Sequence, residues 1–533
     1  MSEQFKFRRA ETPEKIKQVC ELAQEWFLTS MTPENAGSIM LESISMRKDI
    51  TQVYYLEHTK TNKPVCMVQV SHRGAYYSDS PTASGPSSAP NPDTFGVKPA
   101  TALMIGFVFT AQAYRKLGLA NRLISAVIEY VEKELIKENI SKSDKSKPDS
   151  FASMVMNNGQ LDLNLANYYL GKKYAWVLYS AVGNFYERFG FKAFPVDLFK
   201  VPTSVLTDSQ QRLLEALMDS SPEAKARGKH LRYLDSSKPQ DRDLVSFIMQ
   251  NKELEILTEL NKSTFHSELT GGRKSSSSLT NITDTLAMSK LASQTEMTSI
   301  SETAGATPVA QRKSSVTVLS SAKFAMKPDV DIYKATNFLS NSRLASTEGF
   351  TAENERYNHI EGAIFTNELQ QKSYFILWST LIAQFVVVGV GELQFNMFGP
   401  TTDPLGKRSD QRRRGSSFSG LNDLGGYNFQ DLDILFSAAC SVAKKRALED
   451  KNSIYVAIND LPNTIPAPML SDYFLHYLPK THLGADSDKS LAPENQVELY
   501  ASNKFVLPML RRFGKESAEF DLDWVANGML SWG

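Results

Sequence analysis

Cysteine is scarce: Cys20, Cys66 and Cys440 are the three in 533 residues, and they lie far apart. An odd, widely spaced set excludes a disulfide framework and a metal knot, and predicts free, buried or half-buried thiols in a reducing compartment. Net charge is missing as well. The 59 basic and 59 acidic residues cancel, whereas a general nucleic-acid binder carries a basic excess, so nucleic acid is set aside as a partner. None of the seven histidines stands in the spacing of a metal site or a nucleophile triad, and no metal is expected. His58 and His72 flank a hairpin and read as surface residues. The start of the chain, Met1 to Arg9, lacks an apolar leader core, which predicts a non-secreted, cytoplasmic protein. One long uncharged run exists, the eighteen residues from Tyr374 to Gly391. Its β-branched content, Ser379, Thr380 and Gln384 predict two adjacent buried strands, not a membrane span.

What is present reads as an α/β chain too long for one core, with 41% apolar and 22% charged residues. Phe5 to Arg9 predicts a strand, Pro13 to Phe27 a helix capped by Thr12, and Gln52 to His58 with Pro64 to His72 an antiparallel pair. Residues 76–98 and Ser141 to Ser150 are polar surface segments. A long helix is expected from Leu117 to Glu138, a strand from Tyr174 to Ser180, and a short helix from Val182 to Phe189 stopped by Gly190. Residues 201–262 read as a helical connector, and 263–321 as a Ser/Thr-rich disordered linker. In 322–533, Gly362 to Phe365, Ser373 to Leu381, Gln384 to Phe395 and Ile454 to Ile458 predict strands, and Gln430 to Glu449 a helix. The tail Phe520 to Val525 is expected to dock on this second unit.

The chemistry gathers in residues 1–200. The strand Leu103-Met104-Ile105-Gly106-Phe107-Val108-Phe109-Thr110 runs into Tyr114-Arg115-Lys116-Leu117-Gly118-Leu119-Ala120 and then the long helix. Gly118 and Ala120 let backbone approach an anion, the helix N-terminus presents unpaired N–H groups, and Arg115 and Lys116 add charge. A second constellation, Asn184-Phe185-Tyr186-Glu187-Arg188-Phe189-Gly190-Phe191, follows the second strand. Strand, Arg-x-x-Gly-x-Ala, helix, strand and Tyr-x-x-x-Gly-Phe in that order resemble the GNAT superfamily of N-acyltransferases. The resemblance implies a GNAT-type mixed sheet with acetyl-CoA as cosubstrate. The coenzyme would be held by Val108, Phe109 and Thr110, by the loop residues Arg115, Lys116, Leu117, Gly118, Leu119, Ala120 and Asn121, and by Tyr186. It also implies that the two strands splay apart and that the Tyr186 hydroxyl faces the leaving sulfur as catalytic proton donor. Gln112 stands where the family often has Pro, Ala120 replaces a commoner Gly, and Val182 replaces a small Ala. Glu187 is turned away from Tyr186 by helix geometry. No cysteine lies near these strands in sequence, so transfer is expected to be direct.

The string Leu178-Tyr179-Ser180-Ala181-Val182-Gly183-Asn184-Phe185-Tyr186, with Asp523-Trp524-Val525-Ala526-Asn527, resembles the fungal lysine N-acetyltransferases of lysine catabolism. That resemblance implies the 6-amino group of free L-lysine as acceptor, with Glu25, Glu42 and Glu392 as acidic residues available to a cationic substrate. Residues 322–533 lack the phosphate loop and read either as a degenerate, cofactor-free GNAT-like half or as a structural partner; Gln411 to Gly415 is rejected as a cradle. Arg273-Lys274-Ser275, Arg312-Lys313-Ser314 and Arg413-Arg414-Gly415-Ser416 resemble sites for a protein kinase. The alternatives are a non-catalytic acyl-CoA-binding or phosphorylation-regulated interaction protein, and an acetyltransferase for protein lysines. No membrane partner is expected.

Overall fold

The computed structural model describes residues 4–532 except 28–30, 48–49, 80–96, 145, 148–149, 220, 223–227, 270–321, 394–428, 447, 449, 463–464, 466, 483–494 and 516–520. Most of the Ser/Thr-rich linker and the three basic-Ser strings lie outside the described residues. Among the described residues no helix is long and apolar enough to cross a membrane.

Local sequence explains the helices that matter here. Thr12 and Thr32 each precede Pro-Glu, and each caps a helix. Thr12 Oγ1 accepts from Lys15 N at 3.3 Å at the start of α1 (Pro13–Cys20), and Thr32 Oγ1 from Asn35 N at 3.2 Å at the start of α2 (Pro33–Ser45). Proline at the first helical position has no N–H to waste. The helix expected through Phe27 tightens after Cys20 into 3-10 turns over Glu21–Trp26. The later helices used below are α3 (Leu119–Lys142), α4 (Asp208–Met218), α5 (Pro239–Leu269), α6 (Val330–Ala345) and α7 (Phe429–Lys445).

In chain order the strands are β1 (Phe5–Ala10), β2 (Ile50–His58), β3 (Lys63–Ser78), β4 (Lys98–Thr110), β5 (Tyr174–Ser180), β6 (Lys192–Ala193), β7 (Leu198–Pro202), β8 (Lys229–Asp235), β9 (Ala322–Met326), β10 (Ile360–Asn367), β11 (Lys372–Leu381), β12 (Gln384–Glu392), β13 (Ser453–Ala457), β14 (Glu498–Tyr500), β15 (Leu507–Arg512) and β16 (Leu522–Trp524), beside a short hairpin of Met156–Asn157 with Gln160–Leu161. They form two mixed sheets, so the fold is α/β. The first sheet has the order β1-β2-β3-β4-β5-β15-β6, and the second β8-β10-β11-β12-β13-β7-β14.

These orders are the same pattern twice. Four antiparallel strands lead to one parallel neighbour, β4 beside β5 in one sheet and β12 beside β13 in the other. The next strand is antiparallel and comes from the other half of the chain: β15 pairs with β5, and β7 with β13. The two halves therefore exchange a strand, and neither sheet is complete from its own segment.

Three expectations change. Residues 201–262, read as a helical connector, hold α4 and part of α5 but also β8, which pairs antiparallel with β10. α2 was not expected at all. The strand of the tail joins the first sheet and not the second: β16 pairs parallel with β9, which extends the first sheet through β3. Leu522 and Trp524 share the inward face of β16, and Trp524 meets Tyr179 and Phe324 there. The uncharged run from Tyr374 forms β11 and β12 as an antiparallel pair, turning through Ile382 and Ala383 at positive φ.

The α3 face of the first sheet is the larger core of this half. Leu123, Ile124, Val127, Ile128 and Val131 of α3 pack on Leu103, Ile105, Trp176 and Leu178. α1 and α2 cover the opposite face with α6, whose Leu339 joins Phe27, Met40 and Met67 in one apolar cluster.

Candidate active site

β4 and β5 pair in parallel from Thr101↔Tyr174 to Met104↔Val177, and there the pairing stops. β4 continues six residues further against β3 alone, while β5 continues against β15. No strand among the described residues pairs with the β5 side of Ile105–Thr110. Gly106 to Thr110 are half-exposed, in contrast to the buried Ala102 and Leu103.

A bulge bends β4 at the point of divergence. The β3–β4 register slips between Met67↔Phe109 and Gln69↔Gly106, and Phe107 takes φ +51°. A bulky side chain in the left-handed region costs on the order of 1–3 kcal/mol and marks a place where the fold imposes the conformation. Packing supplies that constraint. Trp26 sits edge-on to Phe107 with centroids 5.8 Å apart, and the Arg343 guanidinium of α6 stacks over Trp26 at 5.2 Å.

β4 then leads through Gln112–Tyr114 into the expected loop. Arg115, Lys116, Leu117 and Gly118 are all exposed, with Lys116 at φ +64° and Gly118 at φ +73° as the N-cap of α3. Left-handed residues on either side of Leu117 bring the chain into α3, whose first N–H groups have no partner within the helix. Leu119 and Ala120 instead turn inward onto the apolar core. Asn121 Oδ1 is buried without a hydrogen-bond partner. Arg115 donates to the Thr110 carbonyl at 3.2 Å and forms an ion pair with Glu25, so its guanidinium lies between the strand end and the 3-10 turn.

Tyr186 closes the other lip. The expected helix is a 3-10 segment, Gly183–Phe189, ended by Gly190 at φ +83° as the cap signal required. Ser180 Oγ donates to the Gly183 carbonyl at 2.6 Å and accepts from Val182 N, which fixes the turn out of β5. Tyr186 is 8% exposed, wedged among Phe185, Phe189 and Phe191. Its hydroxyl has no hydrogen-bond partner among the described residues. Burial pushes its pKa up to about 12, with a smaller push from Cys66. Val182 is exposed and does not narrow the site.

Cys66 corrects the expectation that no cysteine lies near these strands. It is the Cα partner of Thr110 in the β3–β4 ladder, with its Sγ 3.1 Å from Thr110 Oγ1. Register, not sequence proximity, brings it there. Burial raises its thiol to about 11, which leaves little thiolate near neutral pH. Cys66 is thus placed beside the site without being an activated nucleophile.

The acidic candidates are not brought together. Glu25 pairs with Arg115, Glu42 is exposed on α2, and Glu392 ends β12 in the second sheet. The residues missed by sequence reasoning lie on the face of the first sheet away from α3. Arg73 Nη1 donates to the carbonyls of Ser531 and Trp532 at 2.9 Å each, and the Tyr179 hydroxyl donates to the Gly528 carbonyl at 2.9 Å. Asp460 accepts from Met529 N at 2.6 Å and Leu530 N at 3.2 Å. Met529 and Leu530 in turn pack with Val388 and Tyr455, beyond the last pair of β12 and β13. The same tail therefore borders the first splay and backs the matching position in the second sheet. Alternation in β3 puts Arg73 on that face, but only the fold shows what meets it.

No protein-family model matches the chain, and no curated protein matches it. Solved structures are similar in outline. A protein from Enterococcus faecalis V583, described as of unknown function and a probable N-acyltransferase, is 9% identical with a TM-score of 0.37, over 96% of this chain and 73% of that one. A GCN5-related N-acetyltransferase from Kribbella flavida is 11% identical with a TM-score of 0.34, over 96% and 72%. Saccharomyces cerevisiae N-myristoyltransferase with bound myristoyl-CoA is 9% identical with a TM-score of 0.35, over 96% and 83%.

Proposed function

We propose that the chain is an acyl-CoA-dependent N-acyltransferase that moves an acetyl group directly to a small free amine, and that this amine is the 6-amino group of L-lysine. The observation that carries the reading is the splay: β4 leaves β5 after Met104↔Val177, exposes an unpaired edge, and leads through the left-handed Gly118 cap into the start of α3.

Three parts of acetyl-CoA have a chemical counterpart here. The edge of Ile105–Thr110 can pair with the amide-bearing arm as another strand would. The exposed turn at Lys116–Gly118 suits the pyrophosphate. The thioester supplies an activated carbonyl, and the protein's tasks are to orient it and to manage charge and protons. A backbone N–H near the bulge stabilises oxyanion character on that carbonyl. The amine attacks neutral, having lost the proton that an ordinary lysine amine holds up to a pKa of about 10.4. The new N–C bond forms as the C–S bond breaks, and sulfur leaves with the electron pair.

Tyr186 acts at that sulfur. With a pKa of about 12 it stays protonated across the neutral range. A thiol of ordinary pKa, about 8.5, is a stronger acid than this phenol. The hydroxyl therefore stabilises the departing thiolate by donating a hydrogen bond, while the proton released by the acylated nitrogen restores neutrality. Cys66 stays protonated, which supports direct transfer over a covalent acyl-enzyme.

The lysine assignment rests on the Leu178–Tyr186 string and on the tail. The test is thiol release from acetyl-CoA with free L-lysine, other amines and a lysine-containing peptide. Release that depends on lysine supports the full reading. Release with another amine keeps the transferase and removes lysine, and release with the peptide alone makes it a protein acetyltransferase. Coenzyme binding without release for any acceptor makes it a non-catalytic binder.

A further inference from the structure

A cavity of about 370 Å³ lies apart from the splay, between the end of α2, one face of α6 and the start of β10. Its chemistry is unlike a chance gap in packing. Glu361, 5% exposed, lines it with a carboxylate that burial raises to about 7. Asn337, Arg446, Ser236 and Lys334 nearby offset that burial in part. Ser236 Oγ donates to the His359 carbonyl, however, and Asn337 Nδ2 has no hydrogen-bond partner among the described residues. Arg446 does not neutralise it by contact. Its guanidinium donates to Thr380 Oγ1 at 2.8 Å and to the carbonyls of Ile360, Tyr357 and Asn358 at 2.6, 3.2 and 3.3 Å.

A second group points the same way. Asn358 lines the cavity, is 3% exposed, and its Oδ1 is buried without a hydrogen-bond partner. A buried carboxylate and an unanswered amide oxygen are both acceptors, and such groups are costly to leave without donors. A primary ammonium satisfies both at once, with three N–H donors and the charge that the carboxylate lacks. Phe338 and Phe350 form an apolar wall for methylene groups. Lys334 and the exposed Arg242 stand at the rim, where they can meet an anionic group, with Glu355 also on the rim.

We infer that this cavity binds a small zwitterion in which a short alkyl chain separates a primary ammonium from a carboxylate. The ammonium sits on Glu361 and Asn358, the chain lies along Phe338 and Phe350, and the carboxylate reaches Lys334 and Arg242. The site is independent of the acyl-transfer reading, since none of these residues belongs to the splay.

The experiment is calorimetric titration of the full chain at pH 8, without coenzyme, using 6-aminohexanoate, butylammonium and hexanoate as probes. The expected result is one-to-one binding of the first two and none of hexanoate. Glu361→Gln should weaken 6-aminohexanoate at least tenfold, and Lys334→Met should weaken it while butylammonium binds at least as tightly as before. Ala345→Trp, which fills the cavity from an exposed position, should abolish both and keeps the test valid where Glu361→Gln misfolds. Failure of both amines to bind, equal binding of hexanoate, or full binding to Ala345→Trp would overturn the inference.

Discussion

Met104 and Val177 are the last Cα partners of the only parallel pair between β4 and β5, and beyond them the two strands have different neighbours. Hydrogen bonding to β15 holds β5 on its course, and the Phe107 bulge, wedged by Trp26, bends β4 away. The gap is thus built from both halves of the chain.

Tyr186→Phe removes a hydroxyl with no hydrogen-bond partner among the described residues and leaves the ring packing intact. Turnover should fall by about 10²-fold, while coenzyme affinity and melting temperature stay close to wild type. Steady-state kinetics and direct binding separate these quantities, and an unchanged turnover removes Tyr186 from the mechanism.

Gly118→Val places a β-branched residue at φ +73°. A Cβ there meets nothing within 4 Å, so the damage is conformational, about 1–2 kcal/mol. If the turn cradles pyrophosphate, coenzyme binding should weaken at least tenfold, beyond what this modest destabilisation produces. Melting curves and titrations on the same sample distinguish the two effects.

Glu25 holds Arg115 in an exposed ion pair, an arrangement that contributes little to stability. Glu25→Gln should release the guanidinium toward the anion, tighten coenzyme binding and steepen its dependence on salt. Arg115→Ala should do the reverse. Equal affinities in all three proteins would show that Arg115 does not reach the ligand.

Much of this site can be read in the chain. Alternation from Leu103 to Phe109, the glycine at 118 and the stop at Gly190 locate the strand, the turn and the second lip, because each is a local signal of backbone geometry. α2 could have been found too: Thr32-Pro33-Glu34 repeats the Thr12-Pro13-Glu14 start that was recognised. The strand exchange is another matter. β7 and β15 are five and six residues long, and nothing within them states which distant strand they join. Cys66 and Arg73 illustrate the same limit. Their partners, Thr110 and the Ser531 carbonyl, follow from long-range register and tail docking.

Asp460 should make stability fall as pH rises. Burial, only partly offset by the Met529 and Leu530 N–H groups and by Lys252, raises its pKa to about 7. Tyr179 faces it as well. The folded pKa exceeds that of the unfolded chain, so folding takes up a proton. This contribution is fully present below about pH 4 and is lost as pH rises through 7, at up to about tenfold in the folding constant per pH unit. Asp460→Asn should flatten that dependence, and urea titrations from pH 4 to 8 on both proteins read the difference. Identical slopes would mean that Asp460 is ionised in the fold.

The central claim is that the gap beyond Met104 and Val177 receives the acyl-CoA arm. Hydrogen exchange with and without acetyl-CoA tests it directly. Protection should appear in Ile105–Thr110 and in the first turn of α3, and not in β12 or the Gly528–Trp532 tail. Protection centred on β12 and the tail, with Ile105–Thr110 unchanged, would contradict the account.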